Sequence, residues 1–167
     1  LSHPPFLFAA LTSFFDSFSS ESLFVFLHFL LLSRGIDAAL LGTFSAVFFL
    51  GSLLGKSVLG RFSDRWNGSM VVIVSELLMA FCIVLLAGST SVTVIVLCSV
   101  IVGIFTKGTV PVIQTMISDA SEHHGHFEKT FAVNGFMGAV AITISPVFLG
   151  FVSDQWGIVT AFYGMAA

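Results

Sequence analysis

Asp16, Glu21, Glu76 and Lys107 stand inside long apolar runs, where a soluble core would hold Leu or Val. Carboxylates in such a place can take up and release a proton; a lysine there can pair with a carboxylate or hold an anion. Ionisable groups at membrane depth are costly and mark ion or solute pathways by default. The first run concentrates them. At 100° per residue, Ser13, Asp16, Ser17, Ser20, Glu21 and His28 fall within an arc of roughly 140°. A polar stripe on a spanning helix faces a water-filled cavity or a partner helix. Asp16 lies about 16 Å above the start of its helix at 1.5 Å per residue, and Lys107 about 17 Å from the same side of the fourth helix. Asp16 and Lys107 are therefore expected at matching depth, near the middle of a bilayer core about 30 Å thick. Such a pair reads equally as a proton or substrate switch and as a structural ion pair. Glu21 is a second carrier. Glu76 is expected to pair with a hairpin base or reach the interface, Lys56 to snorkel, and His28 to be a hydrogen-bonded interfacial residue.

The elements that must position these groups follow from composition. Of 167 residues, 56% are hydrophobic and only 9% charged, with a mean hydropathy of +1.05. An ordinary soluble domain is about 25% charged, so this chain cannot clothe a globule in polar surface, and the excess must face lipid. The net charge of −3 gives no reason to expect a nucleic-acid partner. Cys82 and Cys98 have no metal-like spacing. His123-His124-Gly125-His126 lacks a second ligand cluster and reads as a solvated loop, so no metal and no cofactor is assigned. No Gly-x-x-x-x-Gly-Lys loop is present, which disfavours ATP-driven chemistry.

A spanning helix needs about 20 mostly apolar residues. The runs predict helices at roughly 6–32, 38–61, 69–87, 92–118 and 130–153, and a sixth from 158 that is cut off at 167. The whole forms a single all-α transmembrane domain. Strand-length alternation, which a barrel would need, is absent. The chain opens at Leu1 and stops inside an apolar segment at Ala167, so it reads as a fragment. One set of turns carries Arg61, Arg65 and Lys129, the other only Arg34, which makes the 60–68 hairpin and the 119–129 loop cytoplasmic. Gly51, Gly55 and Gly60, with Gly135, Gly138 and Pro146, mark expected close helix packing.

The hairpin Gly60-Arg61-Phe62-Ser63-Asp64-Arg65-Trp66-Asn67-Gly68 has an echo. Leu59-Gly60-x-x-Ser63-Asp64-x-Trp66 returns as Leu149-Gly150-x-x-Ser153-Asp154-x-Trp156. One copy follows two crossings and the other five, so they lie on opposite membrane faces, as an inverted repeat of three plus three helices requires. Asp64, repeated as Asp154, reads as a gating carboxylate that pairs in one conformation and not the other. Arg61 and Arg65 also read as plain positive-inside anchors.

Gly60-x-x-x-Asp64-Arg65 after a second helix resembles the signature hairpin of the major facilitator superfamily. Gly150-x-x-x-Asp154-x-x-Gly157 followed by Phe162, and Ile117-Ser118-Asp119 before a polar loop, resemble that family as well. The likeness covers essentially the whole chain, as one six-helix half of a twelve-helix transporter. The C-terminal half is favoured, because the chain ends at a sixth helix and the signature is eroded. Asn67 stands where the family has Gly, and is expected to take the left-handed conformation of a tight turn. Gly68 and Ser69 replace basic residues of the pattern. Ser145-Pro146 with Gly150 only partly matches antiporter members, and Gly108-Thr109-x-Pro111-Val112 is loosely similar to fosmidomycin-resistance-type efflux proteins.

The resemblance implies a gating role for Gly60, Asp64, Arg65 and Asp154, and a central cavity lined by the first and fourth helices, where Asp16 and Lys107 would meet. It implies a non-enzymatic secondary transporter in the plasma (inner) membrane. Such a protein moves a small solute by alternating access with proton coupling, efflux being weakly favoured over uptake. Its partners would be the solute, protons, the bilayer and the missing N-terminal half of the same chain. The alternatives are a membrane enzyme using His and Asp of the 119–129 loop at the lipid surface, or a non-transporting sensor or scaffold on the same fold.

Overall fold

Backbone polar groups have no water to bond in a bilayer, so each crossing segment must satisfy them internally as a helix. The structure, a computed structural model, describes the backbone of residues 4–122 and 127–166 and the side chains of residues 7–119 and 128–166. Its helices are α1 (Pro4–Ser33), α2 (Leu41–Ser63), α3 (Gly68–Gly88), α4 (Val92–Glu122), α5 (Phe127–Trp156) and α6 (Ile158–Ala166). A short 3-10 turn, Ala38–Leu40, precedes α2. Five of the helices are long and apolar enough to cross a membrane. Several run a few residues beyond the apolar stretches, since polar residues at a helix end cost nothing where the headgroups begin.

Short turns join them. Gly35 and Gly157 take φ of 75° and 88°, a region that side chains with a Cβ rarely enter. The 60–68 hairpin closes differently. Asn67 sits at φ −61° and caps α3, its side-chain oxygen accepting from Ser69 N. The left-handed turn expected at Asn67 is thus replaced by an N-cap, for which Asn is well suited.

The packing exchanges partners between two triplets. α2 lies along α4 and α5 along α1, while α3 also packs on α4 and α6 on α1. Exchanging α1–α3 with α4–α6 maps this pattern onto itself, which is what an inverted repeat produces. The two echoed sequence stretches end α2 and α5, the middle helix of each triplet. Leu59 and Leu149, their first residues, are both buried.

Close approach of α2 to α4 rests on glycine. A Cβ at Gly51 would meet the Val100 carbonyl oxygen, and one at Gly55 the Ile104 carbonyl oxygen. From the other side Gly103 faces the Phe48 carbonyl oxygen, and Gly108 faces Leu59 and Gly55. Gly60 and Gly135 have nothing within 4 Å of a would-be Cβ, and Gly138 has only Ser17 Oγ at 3.8 Å. Close packing at those three positions is therefore not what the fold uses them for. Pro146 is exposed. The contact expected of it falls to its neighbour Ser145, whose hydroxyl lies 2.6 Å from Ser22 Oγ and donates to the Phe18 carbonyl.

Two apolar clusters fill the bundle. One joins Leu23, Phe48, Met79, Ile83, Val102, Leu149 and Phe162. The other, toward the 60–68 hairpin, joins Ala9, Leu59, Val71, Val112 and Ile117. Between them in chain position on α1, α3 and α4 stand Asp16, Ser75, Glu76, Thr106, Lys107 and Thr109. Hydroxyls on these helices are satisfied locally, Thr106 Oγ1 donating to Val102 O at 2.7 Å and Ser99 Oγ to Ile95 O at 2.7 Å. Large apolar side chains such as Phe49, Leu53, Leu77, Phe136 and Val147 point outward.

Candidate functional site

The polar layer is built where α1 crosses α4. Asp16 is 7% exposed. Thr109 Oγ1 of α4 lies 3.2 Å from Asp16 Oδ1 and 3.3 Å from its own helix's Phe105 carbonyl. Its single proton can serve one of them at a time, so Asp16 competes with the helix backbone for that donor.

Lys107 does not reach Asp16. Its Nζ pairs with Glu21 Oε1, more than one helical turn further along α1. The expected Asp16–Lys107 pair is corrected to Glu21–Lys107. The α4 residue that meets Asp16 is Thr109, two residues beyond Lys107, and Lys107 projects instead toward Glu21. Lys107 and Glu21 are 29% and 39% exposed, so the pair opens onto a space rather than being sealed between helices.

That space is a cavity of about 340 Å³ between α1, α4 and α5, whose wall includes Asp16, Glu21, Gln114, Asn134 and Gly138. Gly135 and Gly138 line it as well, which gives these small residues a place other than helix packing. Asn134 Oδ1 is buried without a hydrogen-bond partner among the described residues. A second cavity, of about 580 Å³, lies between α1, α3 and α6 and also has Asp16 in its wall, with Glu76, Met79 and Met165. Asp16 is thus common to both.

Glu76 stands in the wall of that second cavity together with Asp16. Its Oε1 is buried with no partner among the described residues. Glu76 therefore neither pairs with a hairpin base nor reaches the interface. Its place on the third apolar run hid this, because only the packing of the helices brings it beside Asp16 in one cavity wall.

The hairpin residues are arranged more simply. Asp64 caps the C-terminus of α2 through its backbone N–H, which lies against the Gly60 and Phe62 carbonyls. Its side chain is exposed, and so are Arg65 and Asp154. None of the three makes an ion pair among the described residues, where Lys107–Glu21 is the one pair formed. Gly60 lies inside the last turns of α2 with open space around it. At the opposite end of the bundle Arg34 donates to the Ala87 carbonyl at the end of α3. His28 bridges α1 and α2, with Nδ1 2.8 Å from Phe24 O and Nε2 2.7 Å from Ser45 Oγ. Lys56 is exposed on α2 and Lys129 at the start of α5. His123-His124-Gly125-His126 lies outside the described residues.

Sequence reasoning missed Thr109, Asn134, the place of Glu76 and the true partner of Lys107. Asn134 had a signal: an amide in an otherwise apolar run with Gly135 and Gly138 beside it. Thr109 had none, since a threonine in a spanning helix usually bonds its own backbone.

Comparison with known proteins gives one family. The model of the major facilitator superfamily matches residues 9–167. No curated protein matches the chain. The exchanged helix triplets, the five long apolar helices and a family match over nearly the whole length agree. The chain is an integral, multi-pass membrane protein and belongs to the major facilitator superfamily of membrane transporters.

Proposed function

We propose that this chain is one six-helix half of a secondary transporter that moves a small solute by alternating access, with Asp16 as the proton-carrying residue. The observation that carries the reading is a buried carboxylate in the wall of two cavities, held by a hydroxyl rather than by a cation. A carboxylate tied to a lysine would resist protonation. One held by a threonine can change its charge without breaking an ion pair, and a charge change in a dry helix interface biases one packing of the helices over another.

Glu21 and Lys107 belong to the same site in this reading, as a pair whose opening accompanies the conformational change. Asp64 and Asp154, exposed and free of ion pairs among the described residues, are the carboxylates that pair only in another state or against the second half, with Arg65 beside them. The second half is an N-terminal one, and the faces it covers are those of α2 and α5. Of the five long helices α2 and α5 are the least buried, at 28% and 17% against 44% for α1, α3 and α4. The membrane is the plasma (inner) membrane, the coupling is antiport, and the direction is efflux.

The test is flux in proteoliposomes under an imposed pH gradient. Asp16→Asn is expected to abolish gradient-driven flux with protein levels intact. Undiminished flux removes Asp16 from the mechanism. Reversing the gradient reads out direction, and uptake coupled to inward proton flow overturns antiport. Lipid turnover that survives Asp16→Asn but fails on mutation of the 119–129 loop would establish the enzyme reading instead.

A further inference from the structure

Arg61 and Arg65 are not needed to build the turn that follows α2. The copy of that stretch keeps Leu149, Gly150, Ser153, Asp154 and Trp156, yet has Phe151 and Gln155 where the arginines stand. It ends α5 in the same way without a base. The two guanidiniums are therefore an addition to one end of the bundle. Both are exposed, and neither makes an ion pair among the described residues.

The space beside them is apolar. A cavity of about 280 Å³ lies between α2, α3 and α4, with Phe62, Trp66, Val74, Leu78 and Phe105 in its wall. A single hydroxyl, that of Ser75, interrupts this lining. A second cavity, of about 530 Å³, is lined by Arg61, Asp64 and Arg65, and again by Val58 and Phe62. Val58 and Phe62 are thus a wall common to both. With Arg61 they stand at i, i+3 and i+4, on one face of α2. The Phe62 ring, 5.5 Å from that of Trp66, marks the border between the apolar and the charged part.

Depth and charge together define what fits. The apolar span of α2 ends at Ser63, so the arginines stand where headgroups begin and the groove lies at the level of acyl chains. Trp66 belongs to the same boundary, as aromatic residues do at membrane interfaces. Two guanidiniums against one carboxylate leave the outer cavity net positive. A guanidinium offers paired N–H donors that match the oxygens of a phosphate, and basic pockets between spanning helices take anionic headgroups.

We infer that this groove holds a phospholipid with an anionic headgroup, one acyl chain lying against Phe62, Val74 and Leu78 and the phosphate on Arg61 and Arg65. Net charge selects the headgroup, since a zwitterionic lipid brings an ammonium that the net-positive cavity repels. The site lies on the flank of α2 beside α3, apart from Asp16, and does not depend on the transport reading.

The experiment is native mass spectrometry of the purified full chain in detergent, with dioleoyl phosphatidylglycerol, phosphatidylethanolamine and phosphatidylcholine as probes. Phosphatidylglycerol is expected to bind roughly tenfold tighter than either zwitterionic lipid. Arg61→Gln with Arg65→Gln should remove that preference. Val74→Trp, which fills the groove and leaves both arginines, should weaken phosphatidylglycerol binding by a similar factor. Lys56→Gln with Lys129→Gln takes away the same charge elsewhere and should change nothing, and so should Asp16→Asn. Equal binding of the three lipids, tighter binding of phosphatidylethanolamine, or phosphatidylglycerol binding undiminished in the arginine variant or in Val74→Trp overturns the inference. An equal loss in the lysine variant reduces the effect to net charge and overturns it as well. Should the arginine variant fail to fold, Val74→Trp and the lysine variant decide between them.

Discussion

Lys107 shows how little a residue's type fixes its partner. Asp16 and Glu21 are both on α1, five residues apart, and at 100° per residue they differ by roughly 140° in direction. Lys107 can satisfy its charge with one of them, and it takes Glu21, leaving Asp16 to Thr109. The pair is partly exposed, so its strength lies between that of a surface bridge and a buried one. A double-mutant cycle over Glu21→Gln and Lys107→Met is expected to give a coupling of about 1–2 kcal/mol in thermal unfolding, where exposed pairs give about 0.2–1 kcal/mol. The exchange Glu21→Lys with Lys107→Glu should recover part of what either single reversal loses. A cycle over Asp16 and Lys107 should give no comparable coupling. If it gives the larger value, the pairing seen here is not the one that stabilises the protein.

At the scale of the helix, glycine divides into two uses that look alike along the chain. Gly51 and Gly55 on α2 meet the backbone of α4 at Val100 and Ile104, and Gly103 answers from α4 against Phe48. Gly135 stands in a similar-looking run on α5 yet has open space beside it and lines the cavity. Gly55→Ala is expected to destabilise by about 1–3 kcal/mol, because the Ile104 carbonyl cannot yield without moving α4. Gly135→Ala is expected to be neutral or to stabilise by up to about 1 kcal/mol through helix propensity. Thermal shift in detergent compares the two directly. Equal effects would mean that α2 and α4 can part freely, which would remove the rigid seam assigned to them.

For the whole molecule the decisive property is which end of the bundle faces which side. Arg61 and Arg65 flank the hairpin between α2 and α3, whereas the turn after α5 carries none. Cysteines placed at Asn67 and Gln155 should therefore differ in labelling by a membrane-impermeant maleimide on intact cells. Gln155→Cys is expected to react at once, and Asn67→Cys only after permeabilisation. Both native cysteines, Cys82 and Cys98, are buried, which keeps the background low. The opposite pattern would invert the topology.

Much of the fold was legible in the sequence because hydropathy is a property of the chain in one dimension. The excess of apolar residues dictates lipid exposure, the polar turns cut it into helices, and the Leu59–Trp66 stretch with its copy at Leu149–Trp156 announces two triplets of opposite orientation. Asp16 was also legible, since a carboxylate amid Phe and Ser in a spanning helix has few structural uses. What the sequence could not supply was contact. The place of Glu76 beside Asp16 in one cavity wall, the choice of Glu21 by Lys107 and the unmade bond of Asn134 depend on how α3, α4 and α5 are tilted and turned against α1. Those angles are set by many glycine and apolar contacts at once, between residues far apart in the chain. Depth along a helix can be counted from a sequence; which neighbour stands at that depth is decided only when the helices pack.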